Sequence, residues 1–235
     1  FKKKGFIMKL FWKILIILLI LIVILFSIFF LIGYSTYSKA LDEKPLVERI
    51  EEVTNMEHFV KFDDMADYYR NAVIAIEDHR YYEHGPIEIR SIARAIFNNI
   101  KAWDFVQGGS TITQQVAKNI ILSQEKTLSR KLAEVIAAFD LEKNYSKKEI
   151  FELYVNTANF GNGYIGIYAA SMGYYNKEPK DLDLNESSML AGVPNAPSVY
   201  APNINPTLAK QRQTQVINAM LKYGYISNEQ ALEVI

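Results

Sequence analysis

The sequence contains no cysteine, which excludes disulfides, thiolate metal sites and a cysteine nucleophile. It has only 3 histidines, and His79 and His84 lack the helical spacing of a paired metal site. Acid is missing from the first 32 residues, where Lys2, Lys3, Lys4, Lys9 and Lys13 are the only charges. The formal net charge of zero therefore hides an asymmetry: 26 basic and 26 acidic residues overall leave 21 against 26, or −5, beyond residue 32. A folded part with an acidic surplus argues against a nucleic-acid binder. Long alternating strand patterns, internal repeats and low-complexity stretches are also lacking.

What is present is apolar. Half the residues are hydrophobic and 13% aromatic, enough for an ordered core. Residues Ile14 to Ile32 are apolar except for Ser27, a run of about 20 residues that covers about 30 Å as a helix. This is longer than a signal-peptide core, and no small-residue cleavage site follows. Tyr34 and Tyr37 stand as interfacial anchors, and the lysines place the N-terminal end in the cytoplasm. The chain opens on Phe1 rather than Met, which leaves room for residues ahead of it. The expected organisation is a basic tail (1–13), a transmembrane helix (14–33), a polar connector (34–67) with a short strand or helix near Leu46 to Val53, and one mainly α domain (68–235). Helices are expected at Ser91 to Ile100, with Ile92, Ala95, Ile96 and Ile100 on one face, and at Leu128 to Leu141. In the latter the apolar face holds Leu128, Leu132, Val135, Ile136 and Phe139. Further helices are expected at Lys147 to Asn156, Glu186 to Gly192 and Thr207 to Tyr223, the last stopped by Gly224.

Three segments carry chemistry. Glu77 and Asp78 follow an apolar run and precede Tyr81 and Tyr82; a carboxylate enclosed by Ile76, Tyr81 and Tyr82 would hold its proton more tightly, as a general base or acid needs. The plainer reading is a pair of helix-end acids neutralised by Arg80. Gln107 to Asn119 is a glycine loop running into a helix, with Thr111 and Gln114 spaced as a capping box. Free amides there attract phosphate, and Lys118 stands one turn beyond Gln114. An ordinary capped helix is the equal alternative. Arg130 and Glu134 lie at i and i+4, a spacing that also fits a simple surface ion pair. The glycine-rich run Tyr154 to Gly166 and the turn Pro194 to Ser198 read as architectural.

In order and spacing these segments resemble the peptidoglycan glycosyltransferase family, which includes monofunctional glycosyltransferases and the first domain of bifunctional penicillin-binding proteins. The resemblance covers about Tyr68 to Ile226. Its motifs are Glu77 to His84; Gly108 to Gln115 with Lys118 and Asn119; Arg130, Lys131 and Glu134; Tyr154 to Asn156 with Phe160 to Gly166; and Glu186 with Met189 to Gly192 and Pro194 to Ser198. Two departures stand out: Pro86 follows Gly85 where the family has glycine, and Asn176 stands in Tyr174-Tyr175-Asn176-Lys177 where the family has glycine.

The resemblance implies a lysozyme-like helical domain with a smaller membrane-proximal lobe behind one N-terminal transmembrane helix. It implies polymerisation of lipid II, an undecaprenyl-pyrophosphoryl disaccharide-pentapeptide, into β-1,4 glycan with inversion. Glu77 would be the general base and Glu134 the second carboxylate, holding a divalent cation (Mg2+ or Mn2+) or orienting Arg130. Asp78, His84, Gly109, Ser110, Thr111, Gln114, Lys118, Asn119, Arg130 and Lys131 would bind substrate. No organic cofactor is implied. The partners would be lipid II, the growing glycan strand, the bacterial cytoplasmic membrane and cell-wall synthesis or division proteins. Rival readings are a lysozyme-like glycan cleaver and a non-catalytic membrane scaffold. Ser123 to Lys126 matches a Ser-x-x-Lys pattern, but no Lys-Thr-Gly follows and no transpeptidase activity is expected of these residues.

Overall fold

A computed structural model describes residues 2–102, 108–122 and 127–235; the Ser-x-x-Lys pattern and Gln107 lie outside them. Among the described residues the fold is mainly α, and β pairing is limited to one isolated bridge between Asn159 and Ile165.

The first helix, α1 (Lys2–Glu43), does not stop where the apolar run does. Its side chains from Leu10 to Ile32 are exposed, as befits a membrane-anchored protein. Past Ile32 the same helix docks on α6 (Leu128–Asn144). Gly33 allows the approach, since a Cβ there would lie 2.9 Å from Leu132 Cβ and 3.0 Å from its backbone. Four residues on, Tyr37 is buried and its hydroxyl donates to Asp140. Tyr37 is therefore a docking residue rather than an interfacial anchor, whereas Tyr34 stays exposed and stacks on Phe30. The connector is likewise helical. After Pro45 comes α2 (Leu46–Thr54), which buries Leu46, Ile50 and Val53.

In the outer domain α3 (Asp67–Glu77) packs between α9 (Leu184–Gly192) and α11 (Pro206–Lys222), while α5 (Ile112–Val116) packs on α6 and α7 (Lys147–Thr157). Tyr69, Tyr81, Phe151, Tyr154 and Phe160 are fully buried where these layers meet. The face that α6 turns inward is Ala133, Ala137, Ala138 and Leu141, not the larger apolar stripe expected. Leu128 and Phe139 from that stripe are exposed, and Leu132 meets α1. Similarly, α4 (Ile89–Ala102) buries Ala95 but exposes Ile100.

The glycine-rich run is architectural as expected: Gly161, Gly163 and Gly166 all have φ near +80°, and a Cβ on Gly166 would lie 2.8 Å from the Asn156 carbonyl. The run leads into α8 (Ile167–Tyr175), whose C-cap is Asn176 at φ +53°. Asparagine is the residue that best replaces glycine in this left-handed cap, which accounts for one departure from the family pattern. The short α10 (Pro197–Tyr200) and the terminal α12 (Asn228–Val234) complete the chain.

Candidate active site

A cleft of about 1020 Å³ opens between the end of α3, the glycine loop with α5, the start of α6, and α11. Glu77, Asp78, Gly109, Ser110, Thr111, Gln114, Lys118, Arg130, Lys131 and Glu134 all line it. His84 and Asn119 do not.

Glu77 is the last residue of α3, and its side chain is 10% exposed. Its enclosure differs from expectation. Tyr81 is fully buried with its hydroxyl donating to the Lys147 carbonyl, and Tyr82 points outward. Instead Gln115 Nε2 donates to Glu77 Oε2 at 2.8 Å, and Arg212 Nη2 lies 3.4 Å from Oε1. Arg212 comes from α11, where Gly192 leaves space for its stem; a Cβ on Gly192 would sit 2.9 Å from Arg212 Cγ. Arg80 does not neutralise the helix-end acids, because it pairs with Glu88 at 2.8 Å and reaches Glu83 at 3.5 Å.

Asp78 and His84 form a bracket. The Asp78 carboxylate accepts from the Ile112 amide at 3.2 Å and contacts His84 Nε2 at 2.6 Å, with both side chains about 5% exposed. His84 thus supports the loop from outside the cleft lining. The Pro86 carbonyl accepts from Thr111 Oγ1 at 2.8 Å, so the second family departure still ties the two loops together.

The Thr111 amide of the expected cradle, and the Ile112 and Gln114 amides that follow it, are spent on the protein itself. Thr111 N donates to Gln114 Oε1 at 2.9 Å, Gln114 N donates to Thr111 Oγ1, and Ile112 N goes to Asp78. A complete capping box satisfies the donors that would otherwise meet phosphate. Gln114 is correspondingly buried and committed to the cap. Gly109 packs against α4, where a Cβ would come 3.1 Å from Ile92 Cα.

The cations remain. The helix loosens into a π turn (Ala117–Ile121) that carries Lys118, and such turns recur at functional sites. Lys118 is half-buried and has no hydrogen-bond or ion-pair partner among the described residues. Burial pulls its pKa below the ordinary lysine value; Glu134 and Glu77 oppose that shift, and Arg130 and Lys131 add to it. Arg130 is the third residue of α6, capped by Thr127. Its Nη1 lies 3.4 Å from Glu134 Oε1, while its Nε is buried without a hydrogen-bond partner. Lys131 bridges Glu134 Oε2 and Ser110 Oγ. Asn119 lies outside the cleft lining, with Nδ2 donating to the Thr157 carbonyl at 3.4 Å, so it anchors the π turn.

Glu134 is 2% exposed and faces two cations of its own. Among the described residues no group of three or more histidine or acidic residues could hold a metal ion. The donor set therefore does not fit a metal held by the protein at Glu134.

A family model described as "Transglycosylase" matches residues 43–221. The chain belongs to this family. Transglycosylase relatives include penicillin-binding protein 1F of Bacillus subtilis (strain 168), 46% identical over 173 residues, which are 74% of this chain and 24% of the relative. Penicillin-binding protein 1A of Neisseria lactamica is 45% identical over 172 residues, 73% of this chain and 22% of the relative. The chain thus spans about a quarter of the length of the curated relatives it matches. A crystal structure of penicillin-binding protein 1A from Haemophilus influenzae matches 52% of this chain and 15% of its own length, at 26% identity and a TM-score of 0.37. The family assignment rests on sequence. Of the two groups that touch Glu77, Gln115 lies within a motif without an expected role, and Arg212 lies outside every motif. A lone arginine on a polar helix gives no local signal; only the fold brings it to Glu77.

Proposed function

We propose that this transglycosylase domain polymerises lipid II into β-1,4 glycan strands, inverting the donor anomeric carbon from α to β and releasing undecaprenyl diphosphate. The observation that carries this reading is Lys118: among the described residues it is a half-buried cation without a hydrogen-bond or ion-pair partner, flanked by Arg130, whose buried Nε–H likewise has no partner there, on the same cleft as Glu77. Buried donors of this kind call for an acceptor, and a diphosphate supplies several.

Glu77 takes the proton from the acceptor sugar's 4-hydroxyl, held in place by Gln115 and Arg212. The acceptor oxygen bonds to the anomeric carbon as the bond to the diphosphate oxygen breaks. The negative charge then passes to the leaving group, where Lys118 and Arg130 stabilise it. Glu134 keeps Arg130 and Lys131 oriented. We place the N-terminus in the cytoplasm and the cleft outside. Anchoring then confines enzyme and both lipid-tethered substrates to one bilayer, raising their effective concentration. The growing strand and cell-wall synthesis or division proteins complete the proposed partners.

Incubating the detergent-solubilised chain with lipid II, with and without chelator, tests the reading. Polymer formation that survives chelation is expected. Clearing of intact cell wall without any polymer would favour a glycan cleaver, and neither activity would favour a scaffold.

A further inference from the structure

We infer that Arg49 is a positioning residue for Lys118, and that through it the exit end of the membrane helix forms part of the active-site scaffold. The inference rests on the transglycosylase reading above for its effect on turnover. The guanidinium, on α2, donates to three carbonyls on two segments, the end of α1 and the π turn. Nη2 reaches Ala40 O at 2.7 Å in the last turn of α1, and Nε reaches Lys44 O at 2.9 Å just past its end. Nη1 reaches Ile120 O at 3.2 Å, two residues after Lys118 and one before the π turn closes.

Helix C-termini leave carbonyls without intrahelical partners and carry partial negative charge. Here two such ends converge on a single cation. The planar guanidinium can serve several carbonyls at once with its donors in fixed directions, whereas an ammonium is a point charge on a flexible stem. The π turn is also fixed by Asn119 on Thr157. Arg49 and Asn119 thus tie the turn to α2 and α7 by two separate bonds, with Lys118 beside Asn119 turned into the cleft. Arg49 itself does not line the cleft, so any effect on turnover passes through what it holds. The same residue anchors the last turn of α1, beyond its membrane segment, and α1 also packs on α6, which carries Arg130 and Glu134.

Two measurements test this in the full chain. Arg49→Gln is expected to lower lipid II turnover on the order of 10- to 100-fold through misplacement of Lys118. In the Lys118→Arg background the same change is expected to cost much less. The second measurement needs no turnover: the pH dependence of Lys118 acylation by acetic anhydride, followed by mass spectrometry. Lys118 faces Glu77, Glu134, Arg130 and Lys131. Releasing the π turn gives it more water, so the acylation midpoint should move up toward that of an ordinary lysine. Arg49→Lys, which restores one contact at a time, should fall between; it also serves if the glutamine variant does not fold. An unchanged acylation midpoint in a folded variant overturns the inference, as does an equal fold-loss of turnover in both backgrounds. If wild type fails to polymerise lipid II while the midpoint still shifts, the functional reading falls and the positioning role stands.

Discussion

Replacing Lys118 by methionine removes a charge while keeping most of the side chain's length and apolar stem. The wild-type ammonium is half-buried, has no ion-pair partner among the described residues, and burial depresses its pKa. The two nearby carboxylates do not depend on it: Glu77 keeps Gln115 and Arg212, and Glu134 keeps Arg130 and Lys131. Relief of desolvation should therefore outweigh the lost attraction. Because the group is only partly buried, solvent screening holds the gain to about 1 kcal/mol, or a Tm rise of roughly 2–4 °C for a chain of this size. A lysine whose folded pKa lies below its unfolded one costs stability while charged. Wild-type stability consequently rises with pH as it passes from the folded toward the unfolded value. The methionine variant's advantage should be widest near neutrality and close as pH climbs to the ordinary lysine range. Turnover of lipid II, by contrast, should fall about 10²- to 10³-fold, the scale for losing one preorganised charge-stabilising group. The assay is near-UV circular dichroism melting in detergent at several pH values beside turnover at neutral pH. A variant that melts below wild type, or a gap indifferent to pH, would refute the idea that Lys118 is held uncompensated for a ligand.

Glu134→Gln strips Arg130 and Lys131 of their buried partner and should cost about 2 kcal/mol, less than a fully buried triad because Lys131 is half-exposed; an unchanged melt would show that Glu134 anchors neither cation. Gly166→Ala and Gly163→Ala share a left-handed backbone, but only the former meets a carbonyl, at 2.8 Å. The former should lose about 2–3 kcal/mol and the latter about 1 kcal/mol, read from parallel denaturant titrations; equal losses would contradict the close-approach argument.

Much of the helical frame was legible because its signals are local. The caps at Thr111, Ser146 and Asp183 start helices with complete capping boxes, and Gly224 at φ +77° follows α11. The continuation of α1 was not read, because hydropathy falls after Ile32. Yet hydropathy reports the solvent, not the backbone: Gly33, Tyr37, Ala40 and Leu41 continue a helical stripe that meets α6 and the core instead of lipid. On α6 the larger stripe drew the eye, whereas Ala133, Ala137 and Ala138 face the core because close packing there demands small residues. Glu77, Lys118, Arg130 and Glu134 were found through their motifs. Of the two readings open for Thr111 and Gln114, the capped helix is the one their hydrogen bonds display. Arg212 lies 135 residues from Glu77 in sequence, a pairing no local pattern encodes.

The central claim is that Glu77 removes a proton in a cleft otherwise built to hold a leaving diphosphate. Single-turnover polymerisation of lipid II by Glu77→Gln tests it most directly, since glutamine preserves the shape and an acceptor for Gln115 but cannot take the proton. The account predicts a loss of at least about 10²-fold, with inhibition by inorganic pyrophosphate retained at its wild-type strength. Polymerisation at the wild-type rate would contradict it.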